Sequence, residues 1–120
     1  MADIQLGIVE GQFADMIWDR EPVKSSELVA AAEAAFDWKR TTTHTVIKRL
    51  CDKGLFRNEK GTVTSVISRE RFYSMQSRQF VEDSFDGSLP AFIAAFTKNR
   101  KLSRKEAAEI RIMIDGAEEE

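Results

Sequence analysis

The stretch WKRTTTHTVIKRLCDKGL, residues 38–55, decides how this sequence folds, because it predicts one helix with two different faces. The first face has the three-and-four spacing of a stripe packed on a core, formed by Thr43, Val46, Ile47 and Leu50. The second face and the residues just before it carry hydroxyls and cations: Lys39, Arg40, Thr41, Thr42, His44, Thr45, Lys48 and Arg49. Threonine reaches phosphates and base edges, and arginine pairs with guanine, so this face suits the major groove of DNA. An ordinary amphipathic helix with a solvated basic face is the alternative.

The charge distribution favours a nucleic-acid partner, although the formal net charge of the chain is −2. Seven lysines or arginines and only two acidic residues lie between Lys39 and Lys60, so this segment is basic and the acidic residues lie elsewhere. Nonspecific affinity for DNA depends on cations that neutralise phosphates. The basic segment therefore predicts double-stranded DNA as the partner.

Composition limits the class of protein. A chain of 120 residues with 42% hydrophobic and 32% charged residues predicts one compact globular domain or two very small ones. The single cysteine, Cys51, excludes an internal disulfide framework and a cysteine-rich zinc site, and it fits a reducing compartment. The N-terminal residues lack the pattern of a signal peptide, and no apolar stretch approaches the roughly 18 residues that a membrane helix requires. We therefore expect a cytoplasmic protein with no membrane partner, no metal and no cofactor.

The residues around the central helix predict a winged helix-turn-helix. Apolar residues at helical spacing predict a first helix that ends near Trp18, and Ser25 or Ser26 can cap a second helix. After the third helix, two short runs of β-forming residues flank Glu59-Lys60-Gly61, which is typical of a hairpin. The expected fold class is thus mainly α with a small β-hairpin, and residues 1–68 are assigned to a winged helix-turn-helix DNA-binding domain.

The second half of the chain predicts three more helices, which start near Ser68, Ser88 and Ser103. Three short helices rich in phenylalanine cannot easily bury their apolar faces alone, because small units hide a limited fraction of their surface. We therefore assign residues 69–120 to a helical dimerisation domain, with an intramolecular core as the alternative. The residues assigned to dimerisation are the apolar side chains Phe72, Phe80, Phe85, Leu89, Phe92, Ile93, Phe96, Ile110 and Ile114.

Catalysis is not expected from this inventory of side chains. The chain has one histidine, one cysteine and no glycine-rich phosphate loop. His44 and Cys51 are seven residues apart on the same predicted helix, so about 10 Å of helical rise separates them. That distance is too long for a nucleophile and its base. We predict that the protein is not an enzyme.

Several groups of residues match the pattern of one family. The central helix agrees with its Trp-Ser-x-x-Thr-x-x-Thr-x-x-x-Arg-Leu and Lys-Gly pattern at Trp38, Thr42, Thr45, Arg49, Leu50 and Lys53-Gly54. The opening helix from Val9-Glu10 to Trp18 is similar as well. Further matches lie at Val66-Ile67-Ser68-Arg69-Glu70 and Phe85-Asp86-Gly87-Ser88-Leu89. Across nearly its whole length the chain thus resembles the penicillinase-repressor family.

The resemblance implies a homodimeric transcriptional repressor that binds a palindromic operator, with a recognition helix in each major groove and the C-terminal helices holding the pair together. In the β-lactam-responsive members, a sensor protease or its downstream signal leads to cleavage in the C-terminal domain before a phenylalanine. The matching bond here is Ala95-Phe96. The resemblance therefore implies a sensor protease as a further partner and inactivation by proteolysis in response to β-lactam or cell-wall stress. The paired Cys-x-Cys motifs of the copper-responsive branch do not occur in this sequence, which excludes copper sensing of that kind.

The chain also departs from the family pattern. Thr43 stands where the family has Val or Ile, and we expect its hydroxyl to bond back to a helix carbonyl. Lys39 and Arg40 replace the usual capping serine and its neighbour. The hairpin lacks the aromatic and proline of the family's wing, so we expect Lys60 and Thr62 to contact phosphate rather than bases. The rival interpretation is a winged-helix protein-protein interaction module, without sequence-specific DNA binding, whose basic face docks an acidic partner.

Overall fold

A computed structural model of the chain describes residues 5–119. It is mainly helical with a small antiparallel sheet, which confirms the predicted winged helix-turn-helix fold class. Residues 1–4, on which the expectation of no signal peptide partly rests, and residue 120 lie outside the described residues. In chain order the elements are α1 (Ile8–Arg20), β1 (Val23–Lys24), α2 (Ser25–Phe36), α3 (Arg40–Asp52), β2 (Phe56–Glu59), β3 (Thr62–Ser65), α4 (Arg69–Phe85), α5 (Leu89–Thr97) and α6 (Arg104–Ala117).

The chain divides into two compact units, which we call the winged unit, up to Gln79, and the C-terminal unit, from Phe80 onward. Helix α4 begins in the first unit and ends in the second. The boundary expected between residues 68 and 69 falls earlier, at the start of α4. The division into a DNA-binding domain and a dimerisation domain stays a prediction.

The core of the winged unit is built from apolar side chains of α1, α2, α3 and the sheet. Phe13, Leu28 and Val63 are fully buried there, one from each of three elements. The stripe predicted for α3 is buried as well, at Thr43, Val46, Ile47 and Leu50. The Thr43 hydroxyl lies 3.5 Å from the carbonyl oxygen of Lys39, to which it donates. The expected back-bond therefore satisfies this buried polar group inside its own helix.

The sheet has three strands in the order β1-β3-β2, so the hairpin strand β3 is central. Strand β1 was not expected from the sequence, because it has only two residues and is defined by its pairing, Val23 with Val63. The hairpin turn has positive φ at both Lys60 and Gly61, 52° and 86°, the geometry that matches strand twist in two-residue hairpins. The amide of Ser25 donates to the carbonyl of Gly61 at 2.8 Å and attaches the turn to the first residue of α2.

The expected serine cap of α2 is wrong. The helix already begins at Ser25, and the residue before it, Lys24, supplies no side-chain hydrogen bond to the first turn. The reason is the unforeseen strand: Lys24 pairs with Thr62 in the sheet, so the chain enters α2 directly from β1.

Phe72 lies in the core of the winged unit, with only 2% of its surface accessible. Its ring packs 5.5 Å from that of Trp18 in α1. This placement differs from the expectation that Phe72 belongs to a dimer surface. Periodicity identified an apolar face of α4 correctly, but α1 of the same chain covers its first turn.

The C-terminal unit has well-defined helix starts, but its described residues form no buried core. The hydroxyls of Ser88 and Ser103 accept hydrogen bonds from the amides of Ala91 and Glu106 at 3.1 and 3.0 Å, as the predicted caps require. Among the described residues from Phe80 onward, none is buried. Nor does any helix in the described part of the chain have the length and apolar character needed to cross a membrane.

Candidate nucleic-acid interface

The candidate interface centres on the solvent-facing side of α3. All the residues that the sequence assigned to this face or to its approach are exposed: Lys39, Arg40, Thr41, Thr42, His44, Thr45, Lys48 and Arg49. The Thr45 hydroxyl donates to the carbonyl of Thr41 at 2.9 Å. Its proton is thereby committed to the helix, and its oxygen stays available as an acceptor.

The start of α3 carries two cations where a helix disfavours them. Its N-cap residue, Lys39, makes no side-chain cap hydrogen bond, Arg40 is the first helical residue, and the first turn contains no acidic side chain. The amide end of a helix dipole is positive and attracts anions. Two cations at this end therefore weaken the isolated helix and strengthen its attraction for a phosphate.

Arg40 and His44 line a recess of about 150 Å³ between the starts of α2 and α3. Its other lining residues are Ser25, Ser26 and Val29. Sequence reasoning missed this contribution of α2, because the two serines were interpreted only as helix caps. No side chain caps α2, so its N-terminus lies uncapped in the recess together with the Arg40 guanidinium and the His44 imidazole.

The opposite end of α3 is anchored to α1 by Glu10. The Glu10 carboxylate lies 3.3 Å from Nη1 of Arg49 and 2.8 Å from Nζ of Lys53, and Lys53 also donates to the carbonyl of Gln5. Burial by itself raises the pKa of Glu10, but the hydrogen bonds from Lys53 and Arg49 outweigh it and lower that pKa below its usual range. Glu10 is therefore ionised at neutral pH and holds two cations of α3.

Arg49 remains available for DNA despite this contact. Its side chain is 53% exposed, whereas that of Glu10 is 13% exposed. A guanidinium has five N–H donors, and the ion pair with Glu10 uses one terminal nitrogen. The role of Glu10 was missed by sequence reasoning, because 39 residues separate it from Arg49 and no local pattern links them.

The hairpin residues Lys60 and Thr62 are exposed but lie on a different element from the α3 face. Thr62 pairs with Lys24 on one side and Glu59 on the other, so its backbone is fixed in the centre of the sheet. Lys60 occupies the turn itself. The hairpin thus offers one lysine at its tip, beside the neighbouring ion pair of Arg57 and Glu59.

The described residues offer little for metal or thiol chemistry. Between residues 5 and 119, no group of three or more His, Cys, Asp or Glu side chains could hold a metal ion. Burial, followed by the charge of Asp52, raises the pKa of the half-buried Cys51 thiol. That thiol is therefore protonated and unreactive at neutral pH.

The residues assigned to dimerisation, apart from Phe72, remain partly or largely accessible in the C-terminal unit. Rings of Phe80, Phe85 and Phe92 approach one another with centroids 5.5 to 6.0 Å apart. On α5, the bond between Ala95 and Phe96 lies inside the helix, and the Phe96 ring faces the Arg100 guanidinium at 5.2 Å.

Comparison with known proteins identifies the family. The family model described as penicillinase repressor matches residues 6–116. The penicillinase repressor of Staphylococcus aureus is 22% identical over 116 residues, which cover 93% of this chain and 92% of the relative. The penicillinase repressor of Bacillus licheniformis is 24% identical over 115 residues, which cover 92% of this chain and 90% of the relative.

Proposed function

The chain belongs to the penicillinase repressor family of transcriptional regulators, and from that premise we propose that it acts as a homodimer that binds two half-sites of a palindromic operator. Each winged unit inserts α3 into a major groove, and the C-terminal units join the two chains. The observation that carries this proposal is the division of α3 into a buried apolar stripe and an exposed face of threonines and cations.

The contacts proposed for DNA fall into two classes. Thr42, Thr45 and Arg49 are placed for base edges, since they share the outer face of α3 and match the chemistry of major-groove recognition. Arg40 and His44 in the recess contact phosphates, together with Lys60 on the hairpin. Phosphate contacts fix register and add salt-dependent affinity, whereas base contacts select sequence.

Dimerisation is supported by the missing core of the C-terminal unit. Leu89, Ile93 and Phe96 on α5 are between 42% and 58% exposed, and Ile112, Met113 and Ile114 on α6 are between 58% and 73% exposed. Soluble monomers rarely leave contiguous apolar surface of this kind uncovered. A second copy, which presents the same surface, covers it through a symmetric interface.

The test uses the purified full chain and the DNA upstream of its own gene. We expect sedimentation as a dimer at micromolar concentration, footprinting of two half-sites about one helical turn apart, and affinity that falls steeply with salt. The control duplex has one scrambled half-site and should bind far more weakly. A monomer that binds its operator tightly would contradict the dimer, and equal affinity for scrambled DNA would favour the protein-interaction alternative.

We further propose that cleavage of the Ala95-Phe96 bond switches the repressor off under β-lactam or cell-wall stress. A peptide bond in a helix does not fit an extended protease cleft, so cleavage requires local opening of α5. DNA binding stabilises the folded dimer, and free chains should therefore be cut faster than operator-bound ones. Loss of residues 96–120 removes Phe96 and the whole of α6 from the proposed dimer surface.

Mass spectrometry of the repressor recovered after treatment of its host with a cell-wall antibiotic tests this switch. We expect fragments 1–95 and 96–120. Phe96→Ala should resist cleavage, and Phe92→Ala, the matched change one turn earlier, should still be cut. An intact chain while the target genes are induced would exclude this route.

A further inference from the structure

The start of α4 is held against α1 by a cluster of contacts around Arg69, all within the winged unit. The Arg69 guanidinium pairs with the carboxylates of Asp15 and Asp19 and also donates to the backbone carbonyl of Asp15 at 2.8 Å. Its central carbon lies 5.8 Å from the centre of the Trp18 ring. Nε of Arg69 lies 3.2 Å from Oδ1 of Asp15, but the two groups are not aligned for a hydrogen bond. This contact is therefore purely ionic.

Further hydrogen bonds join α4, and the residues just before it, to α1. The Tyr73 hydroxyl, one turn further along α4, donates to the Asp15 carboxylate at 2.9 Å. Trp18 Nε1 donates to the carbonyl of Ile67 at 3.0 Å, immediately before the helix. The Ser68 hydroxyl accepts from the amide of Arg71 at 3.1 Å and caps the first turn.

These contacts determine the direction of α4 relative to α1 more than they stabilise the fold. A single exposed ion pair contributes little to stability. Arg69, however, meets two carboxylates, a carbonyl and an aromatic face at once, and a planar guanidinium satisfies such a set in only one orientation. The first turns of α4 are therefore fixed relative to α1, and through α1 to the core on which α3 packs.

The direction of α4 matters because this helix continues into the C-terminal unit. Its 17 residues span about 25 Å. A tilt of roughly 10° at its start would move its far end by about 4 Å, comparable with the ~3.4 Å rise of one base pair. A small change at Arg69 is thus large enough to alter which separation of half-sites two joined winged units can reach.

We propose that Arg69 is a positioning residue that determines half-site spacing: by fixing the start of α4 on α1, it restricts the dimer to operators with one separation of half-sites. The inference rests on the proposed function, the binding of paired half-sites by a dimer. Arg69 itself contacts no DNA in this scheme. Its effect is confined to paired sites and leaves recognition of a single half-site unchanged.

The test measures affinity for a series of duplexes that carry two half-sites, taken from an operator selected from random DNA, with the spacer changed by one or two base pairs in either direction. A further duplex carries one half-site. The proteins are the wild type, Arg69→Ala, Arg69→Lys, Tyr73→Phe and the control Arg71→Ala. The control removes the same charge from an exposed position on the same helix.

For the wild type and Arg71→Ala we expect a sharp optimum at one spacer. For Arg69→Ala the ratio of affinities between the optimum and its neighbours should fall about fivefold or more, with single half-site affinity retained. Arg69→Lys should recover only part of the preference, since lysine cannot bridge two carboxylates in the same planar way. Tyr73→Phe should have a smaller effect in the same direction.

An unchanged spacer profile in a folded, dimeric Arg69→Ala would overturn the inference. So would an equal loss of affinity for single and paired half-sites, which would indicate a purely structural role. If Arg69→Ala fails to fold, Asp19→Asn removes one exposed carboxylate and should still flatten the profile; an unchanged profile there would count against the proposal. A wild type that shows no preference for paired half-sites would overturn the proposed function itself.

Discussion

The two units of this chain use similar apolar residues in different ways. The buried hydrophobic side chains of the described residues extend from Phe13 to Phe72, whereas the C-terminal unit leaves Phe80 51% and Phe96 47% exposed. The winged unit has a sheet and four helical segments to close around its core, and the C-terminal unit has only the end of α4 together with α5 and α6. From this difference we expect the first unit to be stable as a single chain and the second to require a partner.

The largest expected effect comes from replacing one phenylalanine in each unit with alanine. Phe72→Ala should destabilise the winged unit by about 3–5 kcal/mol, because it leaves a cavity in a closed core. Phe92→Ala should instead weaken a surface that forms only between chains. Its effect on unfolding should therefore grow with protein concentration, from nothing where neither protein is dimeric to a plateau where both are, since association stabilises the folded state by mass action.

Urea unfolding of the full chain at two concentrations tenfold apart measures both effects. The shift caused by Phe72→Ala should be the same at each concentration. If the Phe92→Ala shift did not grow between a concentration at which the wild type is monomeric and one at which it is dimeric, the C-terminal unit would be stable as a single chain.

The second effect concerns DNA affinity, which we propose for the winged unit alone. Arg49→Ala should cost about 1–3 kcal/mol of binding per half-site and relax the preference at one base pair of each half-site. Its dimer should be unchanged in sedimentation, since α3 is remote in sequence from α5 and α6. Arg104→Ala at the start of α6 removes the same charge from the other unit and serves as the control for binding titrations. Loss of the dimer in Arg49→Ala would show that the two functions are not divided in this way.

Local patterns allowed most of the helices to be predicted from sequence. Ser88 and Ser103 mark helix starts through contacts three residues away, and Gly61 marks the hairpin turn through its positive φ. These features depend on short-range sterics and hydrogen bonds, which are fully encoded in adjacent residues.

The features that the sequence did not indicate all depend on distant residues. Strand β1 exists only through its pairing with β3, and the Glu10 contacts join α1 to the end of α3. Phe72 is a further example. The sequence shows that it lies on an apolar face of α4, but it does not show that α1 covers that face. Periodicity identifies a buried face without identifying its partner.

The third expected effect is smaller and concerns one carboxylate in each unit, Glu10 in the winged unit and Glu106 in the C-terminal unit. Glu10→Gln should lower the stability of the full chain by about 1 kcal/mol at pH 7, because the hydrogen bonds from Lys53 and Arg49 lose their charged acceptor. The lowered pKa of Glu10 means that the folded state favours the ionised form. This stabilisation is complete above the unfolded pKa of about 4.3 and disappears as the pH falls through the lower folded value.

Unfolding experiments at neutral pH and across the acidic range test the direction of this pH dependence. The wild type and Glu10→Gln should converge in stability at acidic pH. Glu106→Gln in the C-terminal unit is the matched control: hydrogen bonds from Arg100 lower the pKa of Glu106, but this pair is exposed to solvent and should contribute little at any pH. A Glu10→Gln difference that grew on acidification would contradict the ion-pair assignment.

The smallest expected effect is at the tip of the hairpin. Lys60 is exposed in a turn whose backbone is attached to α2 through the Gly61 carbonyl, so this turn presents one solvent-accessible cation. Lys60→Ala should weaken binding to all duplexes by a similar small factor. It should reduce the slope of log affinity against log salt by about two for the dimer, since one phosphate contact is lost from each winged unit. Lys101→Ala, an exposed lysine of the C-terminal unit, should leave the slope unchanged. A selective loss for one operator sequence would show instead that the short wing reads bases, and the distinction between a base-reading α3 and a phosphate-contacting hairpin would then be wrong.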